Sequence, residues 1–295
     1  MKLSPLIQSM RLSFLILTPI CVFLGASLTI AYNKDINVLF LILALLGAIS
    51  AHISVNTLNE YFDFKSGLDF TTQKTPFSGG SGALPQSPEM ANSVYITGII
   101  SFVITLLIGV FFVWQYELAI LPLGIVGLLI VATYTHWINK HPLLCLIAPG
   151  MGFGVLIVAG TQLVVAGQYS ELTLPIILVA FFLINNLLLL NQYPDIEADR
   201  RIGRYHFPIA YGIKASNTIY GLFITASIIT ILVYVFFYSL PIMSLIALLP
   251  APLAFYALHG AKKHKRALGK HPKYLAANVA VTLLMPALLG LSLIW

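Results

Sequence analysis

The sequence predicts an all-α membrane protein, one bundle of nine transmembrane helices forming a single domain over residues 1–295. Three observations predict it. Of the 295 residues, 59% are hydrophobic and only 9% charged, against about 25% charged in soluble domains. Apolar runs of spanning length recur from one end of the chain to the other, and the mean hydropathy is +0.92. Once those runs are laid out as spans, the basic residues fall almost wholly on one side. The net charge of +6 therefore reads as membrane topology and not as a nucleic-acid surface.

A span needs about 20 mostly apolar residues to cross roughly 30 Å of hydrocarbon. The opening MKLSPLIQSMRLSF leads straight into the first such run without a small-residue cleavage site, so no cleavable signal is expected. The runs lie at 12–31, 37–58, 93–113, 118–137, 143–166, 173–194, 216–238, 241–259 and 275–294. They are continuous, not alternating, which favours helices over the strands of a barrel. Only Ser239-Leu240-Pro241 divides the seventh from the eighth, and it reads as a tight turn. Cys21 and Cys145 sit alone inside apolar runs and give neither a disulfide framework nor a metal-ligand pattern. The seven histidines show no ligand spacing, and none is assigned a metal.

With nine spans, fifteen of the sixteen Lys and Arg residues share the side of the N-terminus, and Lys34 alone lies opposite. The crowded side is expected to be cytoplasmic and the C-terminus external, in a bacterial or archaeal cell membrane. The acids are more informative. Six of the ten form two groups on the crowded side: Glu60, Asp63 and Asp69, then Asp195, Glu197 and Asp199. Carboxylates at membrane depth are costly, so such groups are functional hypotheses by default.

Each group carries Asn-x-Tyr-x-Asp, beginning at Asn59 and at Asn191, 132 residues apart, where the second and sixth spans end. Residues four apart share a helix face, so Asn59 lies above Asp63, and Asn191, Asp195 and Asp199 are expected to form one stripe. Glu60 and Glu197 point elsewhere on that phase. Ser66-Gly67 can end the first helix and return Asp69 to the same site, and Pro194 is expected to kink the second. Like charges one turn apart repel, so a cation should compensate. Mg²⁺ (or Mn²⁺) suits hard oxygen ligands and commonly binds through carboxylates together with substrate phosphates. Lys65, Lys74, Arg200, Arg201 and Arg204 lie nearby as candidate clamps on a diphosphate.

At these residues the chain resembles the UbiA superfamily of intramembrane prenyltransferases, most specifically in NEYFDFKSGLD and NQYPDIEADRRIGR. The resemblance implies nine transmembrane helices with Asp-rich motifs on the second and sixth. It implies a metal site of Asn59, Asp63, Asp69, Asn191, Asp195 and Asp199, in which the four Asp are catalytic. The partners it implies are a polyprenyl diphosphate and an aromatic acceptor, within membrane lipid. Five residues separate Asp63 from Asp69, a wide spacing similar to the dihydroxynaphthoate (menaquinone-pathway) branch, and Arg11 and Pro19 resemble that branch's opening motif. The sequence departs from the family where GKRT often follows the second motif and Gly203-Arg204-Tyr205-His206 stands here. Tyr134 and Lys140 loosely echo the family's Tyr/Lys pair. Besides these and the clamps Lys65, Lys74, Arg201 and Arg204, substrate binding is expected to involve Asn59, Asn191, Tyr61 and Tyr193. Ring faces of Tyr61, Tyr134, Tyr193 or Trp137 suit an allylic cation.

Other readings stand beside these. Arg200, Arg201 and Arg204 also serve as topology signals, and the basic run at 262–273 reads first as a lipid-headgroup contact. Segment 77–82, Phe-Ser-Gly-Gly-Ser-Gly, suits either a phosphate cradle of backbone N–H groups or a flexible loop. Other prenyl acceptors (4-hydroxybenzoate, homogentisate, haem, a glycerol lipid) fit the same motifs. A secondary transporter would place its acids nearer the midplane.

The charge count makes a direct prediction. Cysteines introduced at Gly67 and Gly167 should react with impermeant reagents from opposite faces of the membrane. Labelling of both from one face would contradict the nine-span topology.

Overall fold

The computed structural model describes residues 4–32, 35–72 and 74–295. Lys2 and Lys34, counted above for topology, lie outside these. Among the described residues the chain is helical, with no strand. The principal helices are α1 (Leu12–Ala31), α2 (Val38–Lys65), α3 (Ala91–Tyr116), α4 (Leu121–Thr133), α5 (Pro142–Ala166), α6 (Thr173–Asn191), α7 (Phe207–Phe237), α8 (Ile242–Lys270) and α9 (Pro272–Ser292).

Eight of these segments, all but α4, are long and apolar enough to cross a membrane, and the protein is a multi-span membrane protein. The expected span 118–137 contains the 13-residue helix α4, flanked by the tighter turns Glu117–Ala119 and Ile138–Lys140. The seventh and eighth spans part at 238–241 as the sequence suggests, with Leu240 N–H donating to the Tyr234 carbonyl at 3.1 Å.

Consecutive helices pack in turn, and α9 returns to α1, closing the bundle. α6 is its axle: 67% of its apolar stretch is buried, against 17% in α2 and in α3. Lipid tails are as apolar as the core, so close backbone approach and interhelical hydrogen bonds hold such bundles. Both devices occur. A Cβ on Gly154 would lie 2.5 Å from the Phe181 amide nitrogen, so this glycine lets α5 ride against α6. Asn186, Tyr220 and Asn278, all buried, tie α6, α7 and α9 together. Asn186 Nδ2 donates to the Tyr220 carbonyl (3.0 Å), Tyr220 Oη to Asn278 Oδ1 (2.9 Å), and Asn278 Nδ2 to the Asn186 carbonyl (3.2 Å).

Three breaks in helical regularity shape the interior. Arg11 adopts φ 53° between the short helix Pro5–Ser9 and α1, a left-handed conformation that costs a non-glycine residue roughly 1–2 kcal/mol. Within α5, residues Gly150–Ile157 widen to a π turn. It begins after Pro149, which has no N–H, at Gly150, whose N–H donates to Asn185 Oδ1 at 2.6 Å. The third break corrects the expectation of one continuous stripe through Asn191, Asp195 and Asp199. Helix α6 ends at Asn191, and a turn through Pro194 leads into a separate short helix, Ile196–Arg201. Proline lacks the N–H the helix would need, and it disfavours helical conformation in the residue before it.

Candidate active site

A cavity of about 560 Å³ lies between α2, α3, α4, α5 and α6. Its polar end is built where α2 and α6 stop, and its apolar depth runs along Gly47, Ile108, Gly124, Gly127, Phe153 and Leu156. The small residues leave space, and the widened turn of α5 carries Phe153 and Leu156 into the wall. The structure brings all six residues of the expected metal set to this one cavity: Asn59, Asp63 and Asp69 from the first motif, and Asn191, Asp195 and Asp199 from the second.

Arg204 joins the two motifs. Its guanidinium pairs with Asp63 through Nη2 and with Asp199 Oδ1 through Nη1 at 2.8 Å. His206 Nε2 lies 3.0 Å from the other oxygen of Asp199. The chain reaches this position because Gly203, at φ 80°, turns it back after the short helix. Burial alone would raise the Asp199 carboxyl; the hydrogen bond from His206 and the charge of Arg204 outweigh it and hold the group below its ordinary value. Asp69 and Asp195 form no ion pair, and the distant charges of Arg11 and Arg204 do not offset their burial. Burial first, then neighbouring carboxylates, pushes each up to about 7.

The glycine-rich segment is stitched to both motifs. Glu60 accepts from the Ser81 N–H (2.6 Å) and Ser81 Oγ (2.7 Å), and Asp195 accepts from the Gly79 N–H (3.1 Å). Gly80 sits between them at φ 71°, where a Cβ would come within 2.9 Å of Asp69 Oδ1. Ser78, Gly79 and Gly80 thus roof the polar end as an anchored loop. Glu60, expected to point away from the site, is fully buried and receives Arg11 through Nε at 2.8 Å and Nη2 at 2.6 Å. It supports the roof from behind the carboxylate stripe and does not line the cavity, in keeping with its helical phase. Arg11 itself lines the cavity and lies 3.4 Å from Asn59 Oδ1.

Other expected binding residues are distributed unevenly. Tyr134 lines the cavity. Lys65, Lys74, Lys140 and Arg201 are exposed and do not line it. Lys74 donates to the Ser81 carbonyl and so braces the roof from outside, while Lys65 lies over the Tyr61 ring at 5.6 Å. Tyr61 packs against Phe62 and Tyr95 away from the cavity, Tyr193 is buried with its hydroxyl donating to Asn217 Oδ1 (3.0 Å), and Trp137 packs at a tilt on His141. Glu197 is half exposed and pairs with Arg266 at 2.5 Å, in keeping with its helical phase. Sequence reasoning missed His206 and Gln192 as cavity-wall residues; neither carries a spacing signal.

Among the described residues, no three His, Cys, Asp or Glu side chains converge as a ready metal centre, and Arg204 stands between Asp63 and Asp199. Buried oxygens remain without hydrogen-bond partners, however: Asp69 Oδ2, Asn191 Oδ1 and Asp195 Oδ1. Unpaired buried acceptors of this kind are expensive. All are hard oxygen donors on one cavity, a set that fits Mg²⁺.

A model of the UbiA prenyltransferase family matches residues 18–290. The chain is 28% identical over 207 residues to a 1,4-dihydroxy-2-naphthoate octaprenyltransferase of Bacillus subtilis (strain 168). That match covers 67% of this chain and 63% of the relative, so the chain spans a little under two thirds of the relative's length. In three dimensions it is similar to a UbiA homologue from Archaeoglobus fulgidus bound to DMAPP and Mg²⁺ (TM-score 0.70, 16% identity, 99% of each chain). It is similar also to the apo UbiA homologue of Aeropyrum pernix K1 (TM-score 0.65, 15% identity, 94% of this chain and 96% of that one). At such identities the structural likeness is one of fold.

The Arg204 bridge makes a prediction independent of any activity. Arg204→Leu strands two buried carboxylates and should destabilise the protein by about 3–5 kcal/mol. The readout is a lowered melting temperature in detergent with EDTA. Adding Asp63→Asn and Asp199→Asn should recover much of the loss. A wild-type melting temperature for Arg204→Leu would mean that these charges are solvated.

Proposed function

The chain belongs to the UbiA prenyltransferase family, and we propose that it transfers a polyprenyl group from its diphosphate to an aromatic quinone precursor, with a dihydroxynaphthoate-type acceptor favoured. One observation carries the reading: two acidic motifs 132 residues apart meet at the polar end of a single, otherwise apolar cavity. The polar end suits a diphosphate and the apolar depth an isoprenoid chain. The 28% identity to the Bacillus enzyme and the Asp63–Asp69 spacing support the acceptor class. The count of Lys and Arg supports a cytoplasmic N-terminus and site face, and residues 1–295 are read as one prenyltransferase domain.

The roles follow from placement. Asn59, Asp63, Asp69, Asn191, Asp195 and Asp199 would hold Mg²⁺ together with the diphosphate; Mn²⁺ suits the same ligands. When bound, Mg²⁺ neutralises charge that builds on the leaving diphosphate. Arg204 and Arg11 supply cationic hydrogen-bond donors at the same end, where a guanidinium fork matches phosphate oxygens. In the reaction the allylic C–O bond breaks with its electron pair leaving on diphosphate, an electron-rich acceptor carbon forms the new C–C bond, and the ring regains aromaticity as that carbon loses its proton or, where it carries a carboxylate, CO2. Tyr134, on the cavity wall, offers a ring face to the developing allylic cation. The anchored 77–82 roof and the apolar walls keep out water, which would quench that cation. Lys65, Lys74, Lys140, Arg201, Tyr61 and Tyr193 act from outside the cavity, on the loops and helices that frame it.

Purified protein incubated with Mg²⁺, radiolabelled geranylgeranyl diphosphate and a panel of acceptors tests the proposal. Prenylation of dihydroxynaphthoate that stops in excess EDTA and returns with Mg²⁺ or Mn²⁺ is the expected result. Full turnover in EDTA would refute the metal–diphosphate reading. Turnover confined to 4-hydroxybenzoate, homogentisate, haem or a glycerol lipid would refute the acceptor assignment alone.

A further inference from the structure

The corner between α8 and α9 carries a charge that the reaction does not use. Lys262, Lys263, Lys265, Arg266, Lys270 and Lys273 are exposed there, and residues 262–273 contain no acid. Among the described residues the one ion pair of this run is Arg266 with Glu197, whose side chains are both more than half exposed. The corner is held in shape. The His264 and His271 rings stack at 3.5 Å, Leu268 is fully buried, and Lys265 takes φ 51°. On α8, exposed Phe255 and Tyr256 precede the basic run by about two turns, a spacing that suits an aromatic belt next to headgroups.

The corner also touches the second acidic motif. A Cβ on Gly269 would meet Pro194 and Thr75 at 3.0 Å, so this glycine lies flush against the turn that precedes Asp195 and the base of the roof. Glu197, paired with Arg266, lies on the short helix that carries Asp199.

We propose that this corner is a binding site for the headgroups of anionic phospholipids in the surrounding membrane, and that occupancy steadies the turn carrying Asp195. Six cations on one rigid corner at the end of two apolar helices complement a sheet of phosphates, and such clusters bind anionic leaflets through summed charge. A free phosphate is a poorer match, since the cations spread over an exposed edge and do not converge on a pocket. The binding part stands apart from the proposed reaction, and its readout needs no catalysis.

The test uses the full-length protein reconstituted in nanodiscs of equal phosphatidylcholine and phosphatidylglycerol, then re-extracted in mild detergent. Wild type should retain phosphatidylglycerol in excess of phosphatidylcholine. The quadruple variant Lys262→Gln, Lys263→Gln, Lys265→Gln, Lys270→Gln should lose that preference by about fivefold or more, while arginine at the same four positions should keep it. Equal preference in the glutamine variant and wild type would overturn the site. If the glutamine variant does not fold, 1 M salt on wild type decides, because the Debye length falls to about 3 Å and should erase the preference. A preference that survives the salt overturns the site. Prenyl transfer reads the coupling: wild-type turnover should rise severalfold from phosphatidylcholine discs to mixed discs. A wild-type rate indifferent to lipid charge would overturn the link to the second motif.

Discussion

Arg204 stands between Asp63 at the end of α2 and Asp199 beyond the end of α6, and the rest of the polar end is arranged around the charges it balances. Carboxylates taken out of water carry a desolvation penalty of several kcal/mol each unless paired and hydrogen-bonded. The fold meets that cost by gathering them at one place, where each of two arginines serves one motif or joins both. Arg204 bridges the motifs, and Arg11 accepts a left-handed backbone to reach Glu60. Asp69 and Asp195 are left under-compensated, with buried oxygens unpaired and carboxyls pushed up to about 7 by burial. That residual deficit is the feature that a hard cation would satisfy.

Irregular backbone is tolerated at membrane depth only where it lines a cavity or is buried in protein. The breaks in this bundle obey that limit. α6 stops at Asn191, α5 widens at Gly150–Ile157, and the roof closes over Gly79 and Gly80. Each of these three breaks borders the same cavity. The rest of α6 is regular and deeply buried, so the carboxylates sit on short, irregular pieces anchored to a rigid axle.

Much of this was legible in the sequence for physical reasons. Apolar run length reports spans because backbone groups in lipid must bond within the helix, and the repeated Asn-x-Tyr-x-Asp marked both ends of the site. Asp63, Asp195 and Asp199 follow from that repeat and the scarcity of acids elsewhere. Less was legible where tertiary contacts override local pattern. Helical phase put Glu60 off the stripe correctly, yet could not show that Arg11 and Ser81 come to it from 49 and 21 residues away. Long, flexible Lys65 and Lys74 are close to the first motif in sequence but exposed in space, and Lys140, suggested by resemblance, is exposed as well. Arg204 differs from them because Gly203 reverses the chain. In span 118–137 the apolar count could not show that the regular helix is confined to α4, with tighter turns at both of its ends.

Whether the two motifs work as one site is decided most directly by a double-mutant cycle on turnover, using Asp63→Asn, Asp199→Asn and the two combined. If both carboxylates serve one metal–diphosphate assembly, each single change should slow prenyl transfer by about a hundredfold, and the pair should be little worse than either. A combined loss near ten-thousandfold, about the product of the singles, would mean that the carboxylates act independently, and would contradict the single shared site.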